Sequence, residues 1–396
     1  MPAVSSSVPI AAPPRPQSLI SARNLRIRGS PAAAGAGGGS VKRRRFLAIA
    51  GGSIGTLGLG GYSLRCAFST PPYEGPVTAH FNGARFLNPQ PIDEKHFADL
   101  LKWVIHRERG KWNRWTESPY GPKPPGRVGA GALRATFVNH STILIQLDGL
   151  NILTDPVWSE RASPLSWLGP RRHRPPGLRL EDLPALDVIL VSHNHYDHMD
   201  LETLAKLARV HHPRVFTTLG NRRFLESKGI PTTAELDWWQ DAPLTSDVGL
   251  HCVPAQHFSG RGMCDRNTSM WAGFVLTAES GNVYFAADSG MGPHFAEIGR
   301  RLGPFRLAFL PIGAYRPKWF MAPVHMAPDE AVITHSIVRS AISVPIHYGT
   351  FALGDDGETE PLEDLERALA AASPRPEFWV LEHGEGRDVP PLTAAS

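Results

Sequence analysis

The sequence predicts a mixed α/β or α+β domain, and three observations carry that prediction. Short apolar β-like runs recur through the second two-thirds of the chain, amphipathic helical patterns lie between them, and several runs end on a polar, metal-ligating residue. The 396 residues are 42% hydrophobic and 20% charged, enough for a sizeable core and too apolar for wholesale disorder. No internal repeat of solenoid length is visible.

Taken in order, residues 1–40 are rich in Ala, Pro, Ser and Gly without periodicity and are expected to be disordered. Residues 41–70 open on Lys42-Arg43-Arg44-Arg45-Phe46-Leu47, and the stretch Phe46 to Leu64 is uncharged and glycine-rich. A cationic segment before a mildly apolar one is an export signal, and its order resembles the bacterial twin-arginine signal. The expected destination is the periplasm or cell envelope, with an uncleaved membrane anchor as the alternative. Ala67-Phe68-Ser69 is a weakly matched cleavage site, and the long stretch before the arginines points to a translation start near Val41.

The net charge of +4 hints at nucleic acid as a partner, but its distribution removes that hint. Residues 1–70 hold nine of the 41 basic residues and no acidic one, so the body keeps 32 basic and 37 acidic residues, a net of −5. Three cysteines exclude a disulfide-rich scaffold. Cys252 and Cys264 are expected to be separate thiols, pairing with each other only in an exported body.

The main domain is expected over 71–396. Its first part is Pro- and aromatic-rich, and Phe97, Leu100, Leu101, Val104 and Ile105 recur at helical spacing. That helix is expected to pack on the domain, and contact with lipid is the alternative. Gly121 to Gly126 breaks the chain. Strands are then predicted at 133–138, 141–147, 151–154, 188–192, 214–217, 274–276, 283–287, 307–312 and 343–346. Helices are predicted after an Asp200 cap, from Pro328 to Val338, and around Leu362, Leu365 and Leu369. The Arg171-Arg172-His173-Arg174 run, near Trp158, Leu165, Trp167 and Leu168, is expected to be a solvated loop, with attraction of phosphate head groups as the alternative.

The strongest signal is Val188-Ile189-Leu190-Val191-Ser192-His193-Asn194-His195-Tyr196-Asp197-His198. An apolar strand ends and four potential ligands follow. His193 and His195 can project to one side of an extended loop, while Asp197 and His198 face a second ion. His257, Asp288 and His347 each follow an apolar run and can supply the remaining ligands.

These residues resemble the metallo-β-lactamase fold superfamily over roughly residues 75–390. The resemblance implies an α+β, αββα four-layer sandwich with two metals at one sheet edge. It assigns His193, His195 and His257 to one metal, Asp197, His198 and His347 to the other, and Asp288 to the bridge. Neutral imidazoles with few carboxylates suit Zn²⁺, so two zinc ions are the expected cofactors. The di-iron redox branch has Glu at the place of His195, so histidine here favours hydrolysis.

Further blocks narrow the resemblance: Leu153-Thr154-Asp155-Pro156, Glu235-Leu236-Asp237-Trp238-Trp239, Ile312-Gly313-Ala314-Tyr315, Trp319-Phe320-Met321 and His347-Tyr348-Gly349-Thr350-Phe351. With the histidine motif they are similar to the N-acyl-phosphatidylethanolamine-hydrolysing phospholipase D family. That family releases an N-acylethanolamine and phosphatidic acid. It implies a catalytic role for Asp288 and for His325, which would orient the phosphate or assist proton transfer. Asp155 and His140 are candidates for support behind the ligands. Two departures stand out: Asn139-His140 where Gly-His is usual, and Ser289 where Thr is frequent. The alternatives are a lactonase or a small phosphodiester hydrolase on the same centre, or a metal-binding protein without catalysis. Expected partners are a phospholipid, a membrane met peripherally and a second copy of the chain, and nucleic acid is not among them.

Overall fold

The computed structural model describes residues 66–392. Residues 1–40, and the arginines and apolar stretch of 41–65 with the export signal expected there, therefore lie outside the described residues. Among those described, no helix is long and apolar enough to cross a membrane.

The first sheet has seven strands. Strands β1 (Leu133–Asn139), β2 (Thr142–Leu147) and β3 (Leu150–Thr154) form an antiparallel meander. Strands β4 (Val188–Val191), β5 (Arg214–Thr218) and β6 (Ala234–Leu236) continue it in parallel. The second sheet has six strands. Strands β7 (Asp241–Pro243), β8 (Val248–Val253), β9 (Gly273–Ala278) and β10 (Asn282–Phe285) are antiparallel neighbours. Parallel strands β11 (Phe305–Pro311) and β12 (Ser343–Ile346) complete that sheet. The last strand, β13 (Gly386–Val389), returns to pair with β1 at the edge of the first sheet.

Side-chain alternation explains the layers. Phe137, Ile145, Ile152 and Leu190 face the second sheet, while Val138, Leu144, Leu153 and Ile189 face away. The outward set is covered by helices at Leu201–His211 and Arg222–Ser227, through Leu204, Leu207 and Leu225. The second sheet is covered on its far side by helices at His294–Leu302, Pro328–Val338 and Glu360–Ala371, through Phe295, Ile298, Val332, Leu365 and Leu369. Helix, sheet, sheet, helix is the expected four-layer α+β sandwich.

The predicted helix starts are met in detail. Asp200 accepts from the backbone N–H groups of Glu202 and Thr203, and Pro328 sits in the first turn of its helix. Strands β6, β7, β8 and β13 were not foreseen. Three of them are polar or only three residues long, and β13 reads Gly-Arg-Asp-Val and has a partner on only one side.

Three expectations are corrected. The helix over Phe97–Ile105, here α1, buries none of its residues. It is held through Trp103, which stacks on Phe320 at 4.9 Å and donates to Asp355 Oδ2 at 2.8 Å, while Phe97 is 78% and Ile105 66% exposed. Cys264 pairs with Cys66, not Cys252; Cys252 on β8 points into the core and stays a buried thiol. Residues 66–70 accordingly belong to the body: Thr70 is buried and gives both its N–H and its hydroxyl to Asp265.

The basic run is the third correction: Arg171 stays exposed as a solvated loop would have it, but Arg172 and Arg174 do not. Arg172 is buried and donates to the carbonyls of Val157 and Ser159. Arg174 pairs with buried Glu358 at 2.6 Å and Arg171 with Glu160 at 2.5 Å. These arginines staple loops together.

Candidate metal centre

Strand direction decides where the site forms. Strands β1, β3 and β4 run one way in the first sheet, and β8, β10, β11 and β12 run one way in the second. The segments leaving their C-terminal ends carry His140, Asp155, His193, His257, Asp288 and His347 to a common edge. Four of the residues there have positive φ: Asp155 (33°), His140 (46°), Ala287 (53°) and His347 (64°). Non-glycine residues reach that region at a cost, which concentrates at sites the surrounding fold over-determines. Gly313 runs so close to His347 that a Cβ there would collide with the His347 carbonyl.

The structure gathers all seven predicted ligands. His193 Nε2 lies 2.9 Å and His257 Nε2 3.2 Å from His195 Nδ1. Asp197 Oδ2 lies 3.3 Å from His198 Nε2 and 3.4 Å from His347 Nε2. Asp288 Oδ2 stands between the groups, 3.2 Å from His198, 3.0 Å from His347 and 3.6 Å from His257. Tetrahedral ligands about 2.0–2.1 Å from a zinc ion would be separated by about 3.3–3.4 Å. The separations in the cluster, 2.9–3.6 Å, bracket that value. His198 Nε2, His347 Nε2 and Asp288 Oδ1 are buried without a hydrogen-bond partner. Such orphans are rare unless something else satisfies them. The residues present could thus hold two ions.

Support behind the ligands matches this. Asp155 is fully buried; its Oδ2 accepts from Ser192 Oγ at 2.6 Å and from His198 Nδ1 at 2.7 Å. Ser192 Oγ is also 2.9 Å from His193 Nδ1. One carboxylate oxygen thereby orients a histidine of each group, leaving both Nε2 atoms for metal. His257 Nδ1 donates to the Val324 carbonyl at 2.9 Å, with the same consequence. His140 Nε2 is 3.0 Å from Asp197 Oδ2. His325 Nδ1 is 4.0 Å from Asp288 Oδ2. Ser192 was missed from sequence; its signal was its place between the strand and the first ligand.

Burial lowers the pKa of His193 and His257 well below the ordinary value, that of His195 to about 4 and that of His325 to about 4. All are neutral near pH 7, the ligating form of imidazole. Burial also acts against charge on His347, but Asp288 and Asp197 outweigh it and raise it to about 9. The two carboxylates call for positive charge at this edge.

A cavity of about 420 Å³ opens beside the cluster. His195, Asp197, Asp288 and His325 form its floor, and Phe97, Leu100, Trp103, Phe258, Phe320 and Met321 line its walls. Phe258 and Arg266, from the loop after His257, were not foreseen, because the wall is assembled from segments distant in sequence.

Comparison with known proteins agrees with this geometry. Residues 150–348 match the Beta-lactamase superfamily domain. An N-acyl-phosphatidylethanolamine-hydrolyzing phospholipase D of Caenorhabditis elegans is 40% identical over 251 residues, 60% of this chain and 70% of that protein. An uncharacterized protein of Mycobacterium tuberculosis is 36% identical over 350 residues, 84% of this chain and 92% of the relative. A metallo hydrolase from Ignicoccus hospitalis superposes with a TM-score of 0.51 at 22% identity, covering 65% of this chain and 99% of that one. The chain belongs to the metallo-β-lactamase superfamily and is a metal-dependent hydrolase of that fold. Within that class its sequence resembles the N-acyl-phosphatidylethanolamine-hydrolysing phospholipases D.

Proposed function

We propose that the protein is a di-zinc phosphodiesterase of the phospholipase D type, acting on N-acyl-phosphatidylethanolamine or a related lipid. The observation that carries this reading is the junction of a hard, charged floor with a long apolar wall: the His/Asp cluster suits a phosphodiester, and the aromatic cavity suits acyl chains. A lactonase shares the floor but has less use for such a wall.

His193, His195 and His257 would hold one ion, Asp197, His198 and His347 the other, and Asp288 would bridge them. Bound zinc would supply water activated near neutral pH and would neutralise charge on the phosphoryl oxygens. The reaction adds water to phosphorus and breaks the bond to the ethanolamine oxygen, leaving phosphatidic acid and an N-acylethanolamine. The leaving oxygen needs a proton. His325 lines the cavity with Nδ1 unpaired; neutral at rest, it is placed to hold the phosphate or to pass to the leaving oxygen a proton taken from the attacking water. Asp155, through Ser192 and directly, fixes two ligand rings so that the site is formed before substrate arrives.

Two further parts of the proposal concern place. The exposed apolar face of α1, with Leu101, Val104, Ile105 and nearby Trp319 beside Lys102, supports peripheral contact with a lipid surface at the cavity mouth. The Cys66–Cys264 disulfide supports export, since such bonds persist in oxidising compartments. The test of the activity is metal analysis of the pure protein, then assay on N-acyl-phosphatidylethanolamine beside bis(p-nitrophenyl) phosphate and a neutral lactone. About two zinc ions per chain and release of an N-acylethanolamine are expected. Lactone turnover without phosphodiester turnover would overturn the reading.

A further inference from the structure

The cavity wall holds two basic side chains of different kinds. Lys95 Nζ lies 2.5 Å from Asp93 Oδ2 and is neutralised locally. Arg266 is not neutralised in that way: Glu94 and Arg85 act on its charge from a distance, but among the described residues no carboxylate lies within 4 Å of its guanidinium and no side-chain hydrogen bond holds it. Its guanidinium lies over the Phe258 ring, 4.4 Å from the ring centre. Stacking on a ring face occupies the plane of the guanidinium and leaves its edge donors free.

The backbone around Arg266 is, by contrast, heavily fixed. Asp265 is buried and accepts from Thr70, Arg261 and Gly262. Asn267, at φ 59°, donates its N–H to the Ser259 carbonyl, and its carbonyl accepts from Phe86. Cys264, two residues earlier, is covalently tied to Cys66. A half-buried guanidinium with free donors on a rigid loop is costly to the protein alone. Arg266 lines the same cavity as His195, Asp197, Asp288 and His325, and its charge acts on His195, so an anion in that cavity would face both.

We propose that Arg266 grips a non-bridging phosphoryl oxygen of the substrate while the other oxygen faces the His/Asp cluster, making the cavity selective for phosphodiester monoanions over neutral esters. The edge of a guanidinium can set two N–H donors on that one oxygen, leaving the other non-bridging oxygen to the cluster. This assignment rests on the phosphodiesterase reading for its substrate, but not for the anion contact itself.

The test uses the full zinc-loaded chain as wild type, Arg266→Gln and Arg266→Lys, each with zinc content measured. Inorganic phosphate is titrated calorimetrically, and KM and kcat are measured on bis(p-nitrophenyl) phosphate and on p-nitrophenyl acetate. At equal zinc, Arg266→Gln is expected to weaken phosphate binding about 10- to 100-fold, the effect of one or two charge-assisted hydrogen bonds. Arg266→Lys should recover part of it. The rise in KM should be confined to the phosphodiester, leaving the acetate ester unaffected. Unchanged phosphate affinity in Arg266→Gln overturns the assignment, even if the enzyme cleaves phosphodiesters. Arg266-dependent phosphate binding in a protein that cleaves no phosphodiester upholds the anion contact and removes the phosphodiesterase reading instead. Should Arg266→Gln fail to fold, Arg266→Lys, which keeps the charge and loses the fork, carries the comparison.

Discussion

Asp155→Asn perturbs the centre without replacing a ligand. The side chain is fully buried and the substitution keeps its shape. Its Oδ1 accepts from the Ser192 N–H at 2.7 Å, and an amide oxygen would retain that bond. At Oδ2, however, the Ser192 hydroxyl and His198 Nδ1 converge at 2.6 and 2.7 Å. An amide NH₂ placed there is a donor facing two donors. His198 loses the acceptor that fixes its tautomer, and Ser192 must turn, which disturbs His193 at 2.9 Å. Removing one such partner costs about 10- to 100-fold in metal affinity, so loss on both ions is expected to be about 10²-fold or more. Burial raises the Asp155 pKa while the bonds from His198 and Ser192 oppose that rise, so the wild-type carboxylate depends on its donors for its charge. The assay is competition for zinc against a chelator of known affinity, with circular dichroism to confirm the fold. Asp187→Asn serves as the control, since Asp187 pairs with Arg127 away from the site. Zinc affinity within threefold of wild type in Asp155→Asn would refute the reasoning.

Other consequences are equally open to measurement. Val104→Glu with Ile105→Glu on α1, neither of which lines the cavity, should reduce co-sedimentation with anionic liposomes severalfold and leave turnover of a soluble phosphodiester unchanged; unaltered sedimentation would remove the lipid contact. Denatured, unreduced protein should titrate one thiol, Cys252, and Cys264→Ser should cost about 2–4 kcal/mol of stability; three free thiols would contradict the pairing. Burial lowers His294 and His383 to about 3. The unfolded chain takes up those protons near the ordinary value of 6.5, so stability should be lost as pH falls from about 6.5 towards 3. His294→Gln should flatten that loss in thermal melts recorded across pH, and an unchanged slope would dismiss the account.

How much of this could be read from the chain depends on distance in sequence. The ligands were legible because each follows an apolar strand, and strand ends meet at one edge when strands share a direction. The histidine motif also carries its own spacing within six residues, so it survives any error in the rest of the fold. The partner of Cys264 was not legible, since pairing is a long-range outcome: β8 alternation turns Cys252 into the core, while Cys66 lay in what read as leader. The arginines at 171–174 look like a free basic run because their acceptors, Glu160, Glu358 and two carbonyls, come from elsewhere in the fold. The helix at Phe97–Ile105 shows the converse. Its apolar face was plain, but only the structure shows that the helix is held at Trp103 while Leu101, Val104 and Ile105 stay exposed.

The central claim is that this metallo-hydrolase adds water to the phosphorus of a phospholipid diester. Hydrolysis of N-acyl-phosphatidylethanolamine in ¹⁸O-labelled water, followed by mass spectrometry of both products, tests it most directly. One ¹⁸O should appear in phosphatidic acid and none in the N-acylethanolamine. Label in the N-acylethanolamine, or release of a fatty acid in place of phosphatidic acid, would contradict the account.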